Sequence, residues 1–154
     1  MAISSLLADF LDESKVEYKV EKHEVTYSAQ HTAASVHTPG REVAKVVVVR
    51  SGDQYAMAVT DAPHLLDLDK FAAVSGMKEP VVAAESELRE LFKDCELGAM
   101  PPFGNLYGLK VYIDSRLEQD EEIVFNAGTH FEVVRMKYAD FKCLAEPVIG
   151  DLST

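Results

Sequence analysis

The stretch VAKVVVV at 43–49 constrains the fold more than any other part of this chain. Continuous β-branched apolar residues belong to a strand covered on both faces, since a strand with one wet face places a polar residue at every second position. SGD at 51–53 and QYAMAVT at 54–60 follow, so two β-rich runs flank a hairpin signal. The other segments alternate at short intervals, as in a mixed α/β chain. ISSLLADFLDES (3–14) sets Leu6, Leu7, Phe10 and Leu11 on one helical stripe, and Ser4 or Ser5 can cap it. VEYKVEKH (16–23) alternates as a half-buried strand. TYSAQHTAASV (26–36) reads as a helix stopped by TPG (38–40), LDLDKFAAVSG (66–76) as a helix closed by Gly76, EPVVAA (79–84) as a short strand and ESELRELFKD (85–94) as a helix. LKVYIDSRL (109–117), EEIVFNAG (121–128) and HFEVVRM (130–136) read as strands, with acidic EQDEE (118–122) as a solvated turn, and KYADFKCLA (137–145) as a closing helix. The expectation is one α+β domain spanning 1–154, with about six or seven short strands in a mixed, barrel-like sheet wrapped by about five helices.

Three features do not serve that architecture in an obvious way. Lys45 interrupts the valine strand at its start, and an ammonium entering such a strand is expensive unless it is paired or reaches the edge. It sits either at the strand's exposed end or in a cleft, where burial would lower its pKa and strengthen its pull on a polarised oxygen or phosphate. GAMPPFG at 98–104 brackets consecutive prolines with glycines. Neither a helix nor a central strand tolerates that run, so it is a loop, stiff in the middle and permissive at both ends. FNAGTHFEV at 125–133 gathers Asn126, Gly128, Thr129 and His130 between apolar strand segments. The glycine there suggests a bulge or a close approach, and His130 is a proton donor, a hydrogen-bonding group or a structural histidine.

Other chemistries lack their signatures. His23, His31 and His37 are not spaced as metal ligands, and Cys95 has no base beside it in sequence. GxxxxGK[ST], GxGxxG and GxSxG are absent. Cys95 and Cys143 make neither a disulfide framework nor a zinc spacing, which points to a reducing cytoplasm. No run of eighteen or more apolar residues occurs, so no membrane span is expected, and the early acids at the N-terminus do not suit a signal peptide. A net charge of -11 argues against sequence-blind binding to DNA or RNA, which runs on basic patches. Any nucleic-acid contact would use a local positive site, for which Lys45, Arg50, Lys110 and Arg135 are candidates.

In their order along the chain, these pieces resemble the YbaK-type aminoacyl-tRNA editing domain, a family that includes the insertion domain of bacterial prolyl-tRNA synthetases and free-standing deacylases. The resemblance covers nearly the whole chain: a leading helix and strand, Lys45 opening the valine strand, LLDLDKFAAVSG, a G-x-x-x-P loop as GAMPP, and NAGTH near the last strands. It implies hydrolysis, without metal or organic cofactor, of the ester joining a wrong amino acid to the terminal adenosine of tRNA. Lys45 takes the place of the family's key charged group. Gly98 and Pro102 take the places that line the pocket for the amino-acid moiety.

On that basis Lys45 and Gly98 are catalytic candidates, and His130 joins them on its own chemistry within FNAGTHFEV. Met100, Pro101, Pro102, Phe103, Gly104, Asn126, Gly128 and Thr129 are the substrate-binding ones. Rigidly held loop amides would stabilise an oxyanion, and Met100, Pro101 and Phe103 would form a small apolar pocket suited to a second sieve. PPFG leans toward branches that clear alanine from prolyl-tRNA and NAGTHFEV toward the cysteine-clearing branch, so both acyl groups stay open. The partners implied are the aminoacyl end of tRNA and a synthetase working beside it. The alternative is a non-catalytic module that keeps the pocket for an aminoacyl-adenosine-like ligand or a synthetase partner.

Overall fold

A computed structural model describes residues 5–24, 32–34 and 39–154. The valine strand is β2, Val43–Ser51, and it closes a hairpin with β3, Gln54–Asp61. Around this pair the sheet adds β1 (Tyr18–Lys22), β4 (Val81–Val82), β5 (Lys110–Asp114), β6 (Glu122–Asn126), β7 (Glu132–Lys137) and β8 (Val148–Gly150). The order is β1-β7-β6-β2-β3-β5-β8, with β4 pairing β2 beside this path. The pairs β2–β6, β3–β5 and β5–β8 are parallel and the others antiparallel. The sheet is therefore mixed, as the sequence led us to expect, with eight strands among the described residues where about six or seven were expected. The short strand expected over 79–84 is present as Val81–Val82, and the added strand is Val148–Gly150, too short to show a period.

The unbroken valines follow from two covered faces. Ala44, Val46 and Val48 pack with Met57, Val59 and Phe125 against Leu7 and Leu11 of α1 (Ser5–Glu13) and Phe141 of α4 (Tyr138–Ala145). On the other face Val47 and Val49 meet Ala56, Ala58 and Tyr112 under Phe71 of α2 (Leu68–Ser75). Val43 meets Ala62, Val124 and Val133 under Ala33, one of three helical residues at 32–34. A further helix, α3 (Glu85–Leu91), lends Leu88 and Leu91 to the first face. The helix expected over 26–36 lies mostly outside the described residues, as do His31 and His37.

Element ends are set by local hydrogen bonds. Asp67 caps α2 by accepting from the amides of Asp69 and Lys70, and Gly76 closes it at φ 74°. The strand expected over 109–117 stops at Asp114, because that side chain accepts from Arg116 N at 2.9 Å and turns the chain into a 3-10 helix. Asp114 also accepts from Leu152 N at 2.9 Å and Ser153 Oγ at 2.8 Å, tying the C-terminal segment to β5.

Candidate functional site

Lys45 sits where two ladders meet. The hairpin register sets it opposite Thr60, and directly opposed residues share a face. On its other side, β2 and β6 pair Val43 with Val124 and Ala44 with Phe125. One residue further along both strands stand Lys45 and Asn126. Alternation puts Lys45, Thr60 and Asn126 on the face of Val43 and Val124, the face that Ala33 covers.

Lys45 is half-buried rather than splayed into solvent, and its Nζ donates to Ala62 O at 3.3 Å. Burial pulls its ammonium pKa below 10.5, and the Asp61 carboxylate pushes back. Two polar atoms in this row are buried with no hydrogen-bond partner, Thr60 Oγ1 and Asn126 Oδ1. Thr60 is wholly buried. A buried polar atom left unpaired costs about 1–3 kcal/mol, so two of them flanking one ammonium mark a place built to receive polar groups.

The glycine-proline loop and the β6–β7 turn are stitched together. Glu96 N donates to Gly128 O at 2.7 Å, Gly128 N to Ala99 O at 2.9 Å, and Ala99 N to Glu96 O at 3.0 Å. His130 N donates to Glu96 Oε1 at 2.6 Å, and the His130 ring donates from Nε2 to Leu97 O, also at 2.6 Å. Gly98 takes φ +84°, and a Cβ there would lie 3.5 Å from His130 Cε1. Gly98, Gly128 and His130 therefore lie together. Because Asn126 ends β6 just before this turn, the stitched loops adjoin the row that holds Lys45.

Other candidates fall elsewhere. Thr129 Oγ1 donates to Glu132 Oε1 at 3.3 Å. Met100, Pro101, Pro102, Phe103 and Gly104 are all buried. Phe103 is fully enclosed, with ring centroids 5.6 Å from Phe10, 5.7 Å from Phe125 and 5.2 Å from Phe141. This corrects its expected place on a pocket wall: it is a centre of the main core, and Met100 belongs to the same cluster. A Cβ on Gly104 would lie 2.7 Å from Leu109 O, so that glycine serves backbone packing.

Besides Lys45, the other three expected cations have partners on the protein. Arg50 Nε pairs with Glu87 at 3.1 Å, Arg135 with Glu21 at 2.7 Å, and Lys110 lies over the Tyr112 ring at 5.6 Å. The Cys95 thiol is pushed up to about 12 by burial, which leaves it protonated near neutrality. Among the described residues no group of His, Cys, Asp and Glu could hold a metal ion, and no helix is long and apolar enough to cross a membrane.

The sequence reading missed Thr60, Asp61 and His64. Asp61 is buried, and both its carboxylate oxygens lie 2.9 Å from His64 Nδ1. A signal was available: folding the hairpin about SGD pairs Ser51 with Gln54 and carries Lys45 to Thr60.

The aminoacyl-tRNA editing domain family matches residues 23–144. This chain belongs to that family. The editing domain is 30% identical over 146 residues to the multifunctional Ser/Thr-tRNA deacylase ProXp-y of Escherichia coli K12, covering 92% of this chain and 87% of that protein. In fold it is similar to a candidate trans-editing enzyme for prolyl-tRNA synthetase (TM-score 0.85, 21% identity, 98% of this chain and 96% of that one). It is also similar to a hypothetical protein solved by crystallography (TM-score 0.86, 14% identity, 97% of this chain and 100% of that one). The editing domain is thus an α+β fold of a family of trans-acting aminoacyl-tRNA deacylases, whose substrates are mischarged tRNAs.

Proposed function

We propose that this chain is a free-standing deacylase that hydrolyses, in trans and without a cofactor, the ester of tRNA mischarged with a small amino acid. Seryl and threonyl esters stand ahead of the alanyl and cysteinyl esters of prolyl-tRNA expected from sequence. One observation carries the proposal: a half-buried ammonium, Lys45, flanked by the buried and unpaired Thr60 Oγ1 and Asn126 Oδ1.

An aminoacyl ester is already activated, so the protein's task is to place a water and stabilise the developing oxyanion. Lys45 holds the ester carbonyl or the terminal phosphate. Gly98 contributes its amide from the loop, since Ala99 N is spent on Glu96 O and Pro101 and Pro102 have no amide hydrogen. A neighbouring ribose hydroxyl of the substrate activates the water. Asn126 Oδ1 accepts from the substrate's α-ammonium. His130, whose Nε2 proton is committed to Leu97 O, acts as a positioning residue that fixes the loop. Gly128 and Thr129 shape the turn it grips.

The preference for hydroxyl-bearing acyl groups follows from the unpaired Thr60 oxygen. A serine or threonine side chain would satisfy it, whereas alanine would leave it orphaned. The E. coli relative, a Ser/Thr-tRNA deacylase, supports the same order.

The test is single-turnover deacylation of tRNAs charged with serine, threonine, alanine or cysteine, by the wild type and by Lys45→Ala. Release of seryl and threonyl groups, slowed at least about a hundredfold in the variant, is expected. Ligand binding without turnover on any of the four would establish instead the non-catalytic alternative, which the pairing of Arg50 and Arg135 with carboxylates favours.

A further inference from the structure

Apart from the Lys45 row, an acidic trough lies at the other end of β6. A cleft of about 540 Å³ is lined by Glu118, Asp120, Glu121, Glu122, Lys137 and Tyr138. It shares Asp120, Glu121 and Glu122 with a neighbouring cleft of about 360 Å³ that Arg41 and Glu42 also line. The trough is thus continuous and strongly negative.

Acidity alone would make this a solvated turn, but two buried polar atoms argue otherwise. Tyr138 is 6% exposed, and its hydroxyl has no hydrogen-bond partner. The Asp120 side chain is 10% exposed. Arg41 Nε donates to Asp120 Oδ1 at 3.1 Å, while Oδ2 is buried without a partner. The Asp120 oxygen accepts only, and the Tyr138 hydroxyl accepts as well as donates, so one group carrying several donors can serve both. Of the neighbouring cations, Lys142 pairs with Glu118 at 2.9 Å and Arg135 with Glu122 at 3.6 Å, while Lys137 is exposed at the cleft's edge. Glu121 is exposed and makes no ion pair among the described residues. A metal ion does not fit, because no group of three or more His, Cys, Asp or Glu among the described residues could hold one. A planar guanidinium, with five donors in a fork, suits two separately placed acceptors.

We propose that this trough is a docking site for an arginine-containing basic segment of a protein partner, with a guanidinium meeting Asp120 and Tyr138 and flanking basic residues lying along Glu118, Glu121 and Glu122. An elongated trough formed by two adjoining clefts fits an extended peptide better than a compact ion. The parallel register, with Val43 opposite Val124, puts residues 41–42 and 122 at one end of these strands and Lys45 and Asn126 toward the other. At about 3.3 Å per residue the separation is roughly 10 Å. A docked basic segment would therefore neutralise negative charge beside the Lys45 row.

The test is anisotropy titration of the full chain with a labelled arginine-rich peptide at low salt. Asp120→Asn with Glu121→Gln is expected to weaken binding at least about tenfold. Asp9→Asn with Glu13→Gln, which removes the same charge from exposed positions on α1, should leave it nearly unchanged. Tyr138→Phe removes one unpaired oxygen, keeps the ring in its place, and should weaken binding severalfold if the hydroxyl accepts from the peptide. Equal weakening by the trough and α1 variants would mean that only net charge acts and would overturn the proposal. So would no effect of Tyr138→Phe, or spermidine binding as tightly as the peptide.

Discussion

Thr60 separates structure from function at a single atom. Its hydroxyl is buried and unpaired, so replacing it with a methyl group of nearly the same volume removes a burden rather than a bond. Thr60→Val is expected to hold or raise the melting temperature while slowing deacylation of seryl and threonyl esters at least about tenfold. Calorimetry and single-turnover rates together check this, and a large loss of stability would show that the hydroxyl has a structural partner. Gly98 makes the opposite case. Its φ of +84° disfavours any side chain, so Gly98→Ala should cost about 1–2 kcal/mol and also slow the reaction by displacing the loop amide. Full activity in a folded Gly98→Ala protein would remove that amide from the chemistry.

At the scale of elements, the loop at 98–104 has two ends with different work. Gly98 to Ala99 is stitched to the β6–β7 turn, whereas Phe103 is sunk among Phe10, Phe125 and Phe141. Phe103→Ala is accordingly expected to cost about 3–5 kcal/mol in urea unfolding; a much smaller loss would return Phe103 to a pocket wall. The sequence showed that this segment is a loop because proline chemistry is local. It did not show where Phe103 points, because its three ring partners come from three distant segments. The β2–β3 hairpin was legible for the same local reason, though the register that pairs Lys45 with Thr60 was not drawn from it. Strand β8 was not, since a three-residue strand owes its existence to pairing with β5. Asp114, at the end of β5, makes a pH test. Burial raises its carboxyl pKa, but bonds from Arg116 N, Leu152 N and Ser153 Oγ, with the Arg116 charge, outweigh this and hold it below 3.8. A depressed folded-state pKa gives stability that is present above the ordinary carboxylate range and lost as pH falls below it. Wild-type stability should therefore drop more steeply below about pH 4 than that of Asp114→Asn, with parallel acid-unfolding curves as the contrary outcome.

For the molecule as a whole, the unresolved tension in the sequence is an acidic chain in a family that acts on a polyanion. The fold sharpens it: Arg50 and Arg135 are held by carboxylates, and Lys45 carries its charge at the edge of a covered sheet face. That leaves Lys45 as the group on which the proposed chemistry turns. Its pKa is lowered by burial, with Asp61 opposing, so the ammonium is lost on raising the pH before an ordinary lysine's would be. The most direct measurement is the pH–rate profile of single-turnover deacylation of seryl-tRNA by the wild type, Lys45→Arg and Lys45→Ala, each checked for folding. If Lys45 acts as a cation, the wild-type rate falls along an alkaline limb centred below 10.5. Lys45→Arg should keep activity without that limb, and Lys45→Ala should lose at least about a hundredfold across the range. Three superimposable profiles would contradict it.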